Sequence, residues 1–181
     1  TLNVTTSGAG TSTGDGSDTF VNFENYTLSG NADVANLSAV FGSTINGGAG
    51  SDTASYSTLG SATSLTVTVN SGNTSATVYD GTKTDTLQNI EKIIGGGGDD
   101  QFTLDFSTVR NLDGGTGTDT VKFTGTTSSI SADTDFAPSS TFTNIERLDI
   151  SGLNLNTSDN NTEFNFTEAM LNAWTGSDTG S

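Results

Sequence analysis

Apolar residues along this chain come in short bursts, separated by polar and glycine-rich steps. Ser64-Leu65-Thr66-Val67-Thr68-Val69-Asn70 alternates strictly, and after Ser71-Gly72-Asn73 a second run continues from Thr74 to Asp80. Period-two alternation puts every second side chain on one face, so the segment predicts two strands and a turn, as a β-hairpin or a pair of lateral strands. Elsewhere the apolar residue that opens a strand follows a glycine–aspartate step. Gly95-Gly96-Gly97-Gly98-Asp99-Asp100-Gln101-Phe102 and Gly114-Gly115-Thr116-Gly117-Thr118-Asp119-Thr120-Val121 each read GGxGxD, one residue, then an apolar residue. One stretch has a different period: Phe166, Met170 and Trp174 recur at i, i+4, i+8 with Leu171 adjacent. With Thr167 as N-cap and Gly176 as terminator, it predicts a short amphipathic helix. Packed on an open strand edge, such a helix would guard against aggregation, with an aromatic binding surface as the alternative.

The bursts repeat. Sliding the sequence along itself until Asn22 falls on Asn89 superposes Asn22–Ser57 on Asn89–Thr124 without a gap. Asn22 meets Asn89, Glu24 meets Glu91, Gly30 meets Gly97, Asp33 meets Asp100 and Leu37 meets Leu104, while Gly47, Gly48, Gly50, Asp52 and Thr53 meet Gly114, Gly115, Gly117, Asp119 and Thr120. The identities fall on turn residues and on an Asn-x-Glu step, where the asparagine is expected to hydrogen-bond backbone at a corner. For Glu24, Glu91 and Glu146 a ladder role and metal ligation both stand. A third unit opens at Asn144-Ile145-Glu146, carries Leu155 where Asp100 would fall, and ends on Gly176-Ser177-Asp178-Thr179. The units are therefore 22–57, 89–124 and 144–179, with inserts at 58–88 and 126–141, the latter a surface loop holding Pro138. Asp119 follows Asp100 at the same interval as Asp52 follows Asp33, so successive turns are expected to stack side by side. Residues 1–181 are read as one stack, a fragment of a larger repeat protein.

Composition narrows the chemistry. Only 30% of residues are hydrophobic, which favours a thin, stacked core over a thick one. Twenty-one acidic against five basic residues leave a net charge of −16, which excludes nucleic acid and anionic membrane as partners and calls for cations. No apolar run has transmembrane length. The chain has no histidine and no cysteine, so histidine-based zinc sites, histidine triads, thiol nucleophiles and disulfide staples are all excluded. Gly95–Gly98 leads into two aspartates and not into Lys-Ser, so it is no phosphate loop.

In the GGxGxD step the glycines permit φ > 0 and let main-chain carbonyls converge, and the aspartate adds a hard oxygen, a donor set suited to calcium. The candidate ligands are Asp18, Asp33, Asp52, Asp100 and Asp119, helped by Asp15, Asp99 and Asp113. Gly14, Gly16, Gly47, Gly50, Gly95, Gly97, Gly114 and Gly117 shape the turns and lend carbonyl oxygens.

The two central turns, and the junction Asp85-Thr86-Leu87-Gln88-Asn89-Ile90-Glu91-Lys92-Ile93-Ile94-Gly95, resemble the repeats-in-toxin family of secreted calcium-binding proteins, in particular the repeat regions of its large bacterial adhesins. The resemblance spans most of residues 14 to 150. It implies an all-β, right-handed parallel β-solenoid (β-roll or β-helix), with calcium between stacked turns and the hairpin and C-terminal helix as additions. It also implies export, by type I secretion, to a calcium-rich exterior. The function expected is that of a calcium-stabilised structural or adhesive module of a cell-surface protein, an adhesin or surface-layer-type array, with no catalytic residues. Its partners would be calcium ions, neighbouring repeats, and a surface glycan or further copies of itself. Two alternatives are a carbohydrate-binding module, using Tyr26, Tyr79 or Trp174, and a calcium-dependent polysaccharide-acting enzyme with Arg110 or Arg147 as base.

Overall fold

The computed structural model describes residues 1–6, 8–13, 17–70, 72, 74–105, 110–126 and 140–154. These residues are all-β. In chain order the strands are β1 (Leu2–Thr6), β2 (Ala9–Thr13), β3 (Ser17–Phe20), β4 (Asn25–Thr27), β5 (Val34–Leu37), β6 (Thr44–Asn46), β7 (Thr53–Ser55) and β8 (Thr66–Val69). They continue with β9 (Ser75–Tyr79), β10 (Thr84–Gln88), β11 (Lys92–Ile94), β12 (Gln101–Asp105), β13 (Asn111–Asp113), β14 (Thr120–Thr126), β15 (Thr141–Thr143) and β16 (Arg147–Asn154). The helix expected around Phe166–Trp174, the loop around Pro138, and Gly14, Asp15 and Gly16 lie outside the described residues.

Two eight-stranded sheets form, in the orders β15-β13-β11-β7-β5-β1-β2-β3 and β16-β14-β12-β8-β9-β10-β6-β4. From β4 to β8 and again from β11 to β16, consecutive strands alternate between the sheets. Parallel neighbours in those stretches mostly keep one spacing: Val34 pairs with Thr53, Lys92 with Asn111, and Gln101 with Thr120. That spacing is the one between the paired aspartates, so each step of that length lays a strand beside its predecessor. The sheets are nevertheless mixed: antiparallel strands are present at the expected hairpin and also at β10 and β1–β3, where parallel coils are expected. β8, β9 and β10 run antiparallel as a three-stranded meander inside the second sheet, and β1, β2 and β3 do the same at one end of the first. The alternating runs at 64–70 and 74–80 supply β8 and β9, and Thr84–Gln88 supplies the third strand.

The core lies between the sheets and is thin, built from one or two inward residues of each strand. Val67, Val78, Leu87, Ile93, Phe102, Leu104, Leu112, Val121 and Ala54 are all buried. Along β12 the pattern is strict, with Phe102 and Leu104 inward and Gln101, Thr103 and Asp105 half-exposed. Burying a side chain of this size contributes roughly 1.5–3 kcal/mol. Phe123 and Phe142 close the far end with an edge-to-face contact at 6.2 Å.

Candidate functional site

The glycine–aspartate turns connect the two sheets at two opposite corners, those ending in Asp33 and Asp52 leading into the first sheet and those ending in Asp100 and Asp119 into the second, and each of these aspartates is tied to a neighbouring turn through its backbone N–H. Asp33 N–H donates to Asp52 Oδ1 at 2.8 Å, and its counterpart Asp100 N–H donates to Asp119 Oδ1 at 2.7 Å. Asp52 N–H in turn donates to Glu91 Oε2 at 2.7 Å, and Asp119 N–H to Glu146 Oε2 at 2.8 Å. Asp100 is fully enlisted: its Oδ1 accepts Leu65 N–H at 2.7 Å and its Oδ2 accepts Gly96 N–H at 2.8 Å. Glu91 and Glu146 are thus ladder residues that cap an aspartate of the neighbouring turn.

The asparagine corners are left-handed, with φ of 62° at Asn22, 50° at Asn89 and 51° at Asn144. Asparagine tolerates that region better than other non-glycine residues. Their side chains correct the expectation of backbone bonding. Asn89 Nδ2 donates to Asn46 Oδ1 at 2.9 Å and Asn144 Nδ2 to Asp113 Oδ1 at 2.8 Å, the same contact one repeat unit apart.

Glycine is required where the turn closes on its own carboxylate. A Cβ at Gly47, Gly95 or Gly114 would collide with Oδ2 of Asp52, Asp100 or Asp119 respectively. Gly50 and Gly117, at φ of 126° and 137°, take a conformation closed to side chains.

The predicted ligands therefore divide. Asp52, Asp100 and Asp119 are buried among these turns. Asp33 is partly exposed and holds Ser29 through its amide and hydroxyl, at 2.9 and 2.6 Å. Asp99 caps Thr118 N–H at 2.9 Å, and Asp113 is shared between Asn144 and the Lys92 ammonium, 3.8 Å away. Asp18 lies in β3, its backbone paired with Ser12 of β2. Among the described residues no three acidic side chains gather into one metal-holding group.

Two carboxylate oxygens stand out. Asp52 Oδ2 and Asp119 Oδ2 are buried and have no hydrogen-bond partner. Burial pushes the Asp119 carboxyl up to about 6, aided by the negative charges of Asp100, Glu146 and Asp99 and opposed by the Asp100 N–H. Burial likewise raises Asp52 and Asp100. An orphaned carboxylate oxygen beside a diglycine turn fits a hard cation: the metal would replace the lost hydration of the charged form.

Asp85 is a functional group that the turn motif does not reveal. It is wholly buried. Its Oδ1 accepts the N–H groups of Phe41, Gly42 and Ser43 at 3.0, 2.8 and 2.8 Å, and its Oδ2 accepts the Tyr56 hydroxyl at 2.9 Å. A signal for it exists: Asp85-Thr86-Leu87-Gln88-Asn89-Ile90-Glu91 matches Asp18-Thr19-Phe20-Val21-Asn22-Phe23-Glu24 in the superposition that lays Asn22 on Asn89.

The residues of the two alternatives are dispersed. Arg110 is buried and Arg147 exposed. Tyr26 is buried with its hydroxyl on Phe23 O at 2.6 Å, whereas Tyr79 is exposed. The chain matches no protein-family model and no curated protein.

Proposed function

We propose that this chain is a calcium-stabilised structural module of an exported cell-surface protein, of the adhesin or surface-layer kind, built as a right-handed stack of parallel coils interrupted by two antiparallel meanders. The observation that carries the reading is the repeated orphan: Asp52 Oδ2 and Asp119 Oδ2 are buried without a partner at equivalent positions of two repeat units. Buried carboxylates without compensation are costly, and a site that occurs twice has a common purpose. Asp52 and Asp119 would hold the ions, with Asp100 beside Asp119 and the carbonyls of the adjoining glycine turns at each corner completing an all-oxygen set. The bound calcium would supply positive charge and nothing else. The chain's own residues do the rest, since the N–H relay from Asp33 to Asp52 to Glu91, and from Asp100 to Asp119 to Glu146, locks each coil to the next.

Extracellular calcium modules bind with Kd on the order of 10⁻⁴ to 10⁻³ M. At roughly 10 mM calcium each such site would stabilise the fold by about 1.4–2.7 kcal/mol. The sites are empty at micromolar calcium, which suits a chain that crosses a secretion channel unfolded. We assign it no catalytic role.

Far-UV circular dichroism and melting across a calcium titration, from chelator upward and with magnesium as control, test the reading. A cooperative β signal that depends on calcium and is weakened in Asp52→Asn/Asp119→Asn supports it. Equal folding in chelator and in calcium sinks it.

A further inference from the structure

The insert at 58–88 widens one sheet and not the other. Its strands β8, β9 and β10 sit between β6 and β12, whose coil partners β7 and β11 are direct neighbours in the first sheet. Their register puts like beside like. Thr44 pairs with Thr86, Thr86 with Thr77, Thr77 with Thr68 and Thr68 with Thr103, so five neighbouring strands each contribute a threonine to one row. Both chain neighbours of every one of the five are buried, so the whole row points away from the core. A second row runs beside it, two residues along each strand: Thr84, Tyr79, Thr66, Gln101 and Thr120. Alternate residues of a strand lie about 6.8 Å apart and neighbouring strands about 4.8 Å, so the rows make a two-dimensional mesh of those dimensions.

Two properties set this face apart. The chain carries a net charge of −16, yet the outward residues of β6, β8, β9 and β10 include no charged side chain. The outer side of the first sheet, by contrast, holds Val34, Ile94 and the Lys92–Asp113 ion pair. The threonine hydroxyls are also free. Thr66 and Thr84 are exposed, the other threonines of the mesh are half-exposed, and among the described residues none of their hydroxyls makes a hydrogen bond within the protein.

The chemistry of a partner follows from the mesh. Each threonine sets a methyl beside a hydroxyl, so a water held by the hydroxyl is boxed in by neighbouring methyls and is not turned toward a charge. A dissolved peptide or ion gains nothing from periodicity, and a charged one has no counter-charge here. A sugar platform would be aromatic, whereas Tyr79 is the one ring on the outer side of these strands and its hydroxyl is held by Gly81 O at 2.6 Å. A periodic, uncharged surface fits a periodic, uncharged ligand. The oxygen lattice of ice is such a ligand, and its prism-face repeats are close to both spacings of the mesh. We propose that the outer face of β6, β10, β9, β8 and β12 binds ice. The insert then has a purpose, since it supplies three of the five threonines in the first row. The face would act whether or not metal stabilises the fold.

An advancing ice front pushes ordinary solutes ahead of it and engulfs what adheres to it. Slow growth of an ice shell from a stirred solution of the folded chain in calcium buffer should enrich it in the ice over an unrelated protein of like size. Thr68→Lys/Thr77→Lys, at the centre of the mesh, should lower that enrichment about tenfold, because central contacts carry most of a surface's binding. Thr68→Ser/Thr77→Ser, which keeps the hydroxyls and removes two methyls, should lower it in the same direction with an unchanged circular dichroism spectrum. Thr141→Lys, at an exposed position of the other sheet, should leave it unchanged. Exclusion of the folded natural chain from ice overturns the proposal, as does capture that both central variants leave intact or that Thr141→Lys lowers equally. Exclusion from ice together with self-association that Thr68→Lys/Thr77→Lys abolishes also overturns it, and makes the face a contact between copies. A chain whose folding ignores calcium but which ice captures through this face defeats the calcium reading and spares this one. A calcium-dependent fold that ice excludes does the reverse.

Discussion

Asp33 and Asp100 occupy the same position of the repeat unit, yet their carboxyls are driven in opposite directions. The Ser29 hydroxyl and amide hold Asp33 below the ordinary carboxylate range, whereas burial pushes Asp100 above it. The cause is what lies against each turn. In the central unit the loop after Tyr56 packs on Gly95–Gly98: a Cβ at Gly97 would sit 3.0 Å from Leu59 O, and one at Gly98 would run into the Thr63 carbonyl. In the first unit no such loop packs on the turn among the described residues, a Cβ at Gly30 would meet nothing within 4 Å there, and the positions of Gly95, Gly96 and Gly98 carry Leu28, Ser29 and Asn31. At Gly97 and Gly98 glycine is thus dictated by the neighbouring backbone, in addition to the turn's own carboxylate that requires it at Gly95. A turn with an open side keeps ordinary side chains and a solvated carboxylate.

The join between the two units should be the most sensitive point. Asp85→Ala would leave the buried Ser43 N–H, the partly buried Phe41 and Gly42 N–H groups and the buried Tyr56 hydroxyl without their acceptor, and is expected to cost roughly 4 kcal/mol, read as a collapse of the urea midpoint in both calcium and chelator. Next comes the paired test of the comparison: Asp100→Ala, which orphans Leu65 and Gly96 amides, should cost about 3 kcal/mol, and Asp33→Ala less than about 1. Equal losses at the two sites would break the comparison. Gly98→Ala should cost about 2 kcal/mol against a change within about 0.5 for Asn31→Ala, measured by the same denaturation.

The smallest effect concerns protons. The folded Asp119 carboxyl titrates at about 6, above the ordinary aspartate value of 3.8, so its burial destabilises the charged form. Stability without calcium is therefore lost as pH rises through about 6, and recovered as pH falls toward 4. In chelator the melting temperature should rise by a few °C between pH 7.5 and 5, while in calcium the trend flattens or reverses because protons and metal compete for one oxygen.

Much of this architecture was legible in local pattern. The strands after each turn follow from the single apolar residue two places past the aspartate, and the spacing of Asp100 and Asp119 is the parallel register of β12 on β14. The alternation at 64–70 and 74–80 likewise yields β8 and β9. What stayed hidden depends on distant contacts. Asp85 reads as one more strand residue until Phe41–Ser43, more than forty positions away, fold over it. Leu65 N–H on Asp100 is equally non-local. The meander β1–β3 is rich in Ser, Thr and Gly, and with so few apolar residues its alternation carries no clear signal. The glutamates of the Asn-x-Glu steps admitted two roles, and only the position of the Asp52 and Asp119 amides separates them.

The most direct test of the central claim is isothermal calorimetry of calcium binding at pH 6, in two buffers of different ionisation enthalpy, on the natural chain and on Asp52→Asn/Asp119→Asn. The account predicts saturable binding that releases protons, because calcium displaces them from the Asp119 carboxyl, with both the heat and the proton release falling sharply in the double variant. Binding of unchanged strength in that variant, or no binding up to about 10 mM calcium, would contradict it.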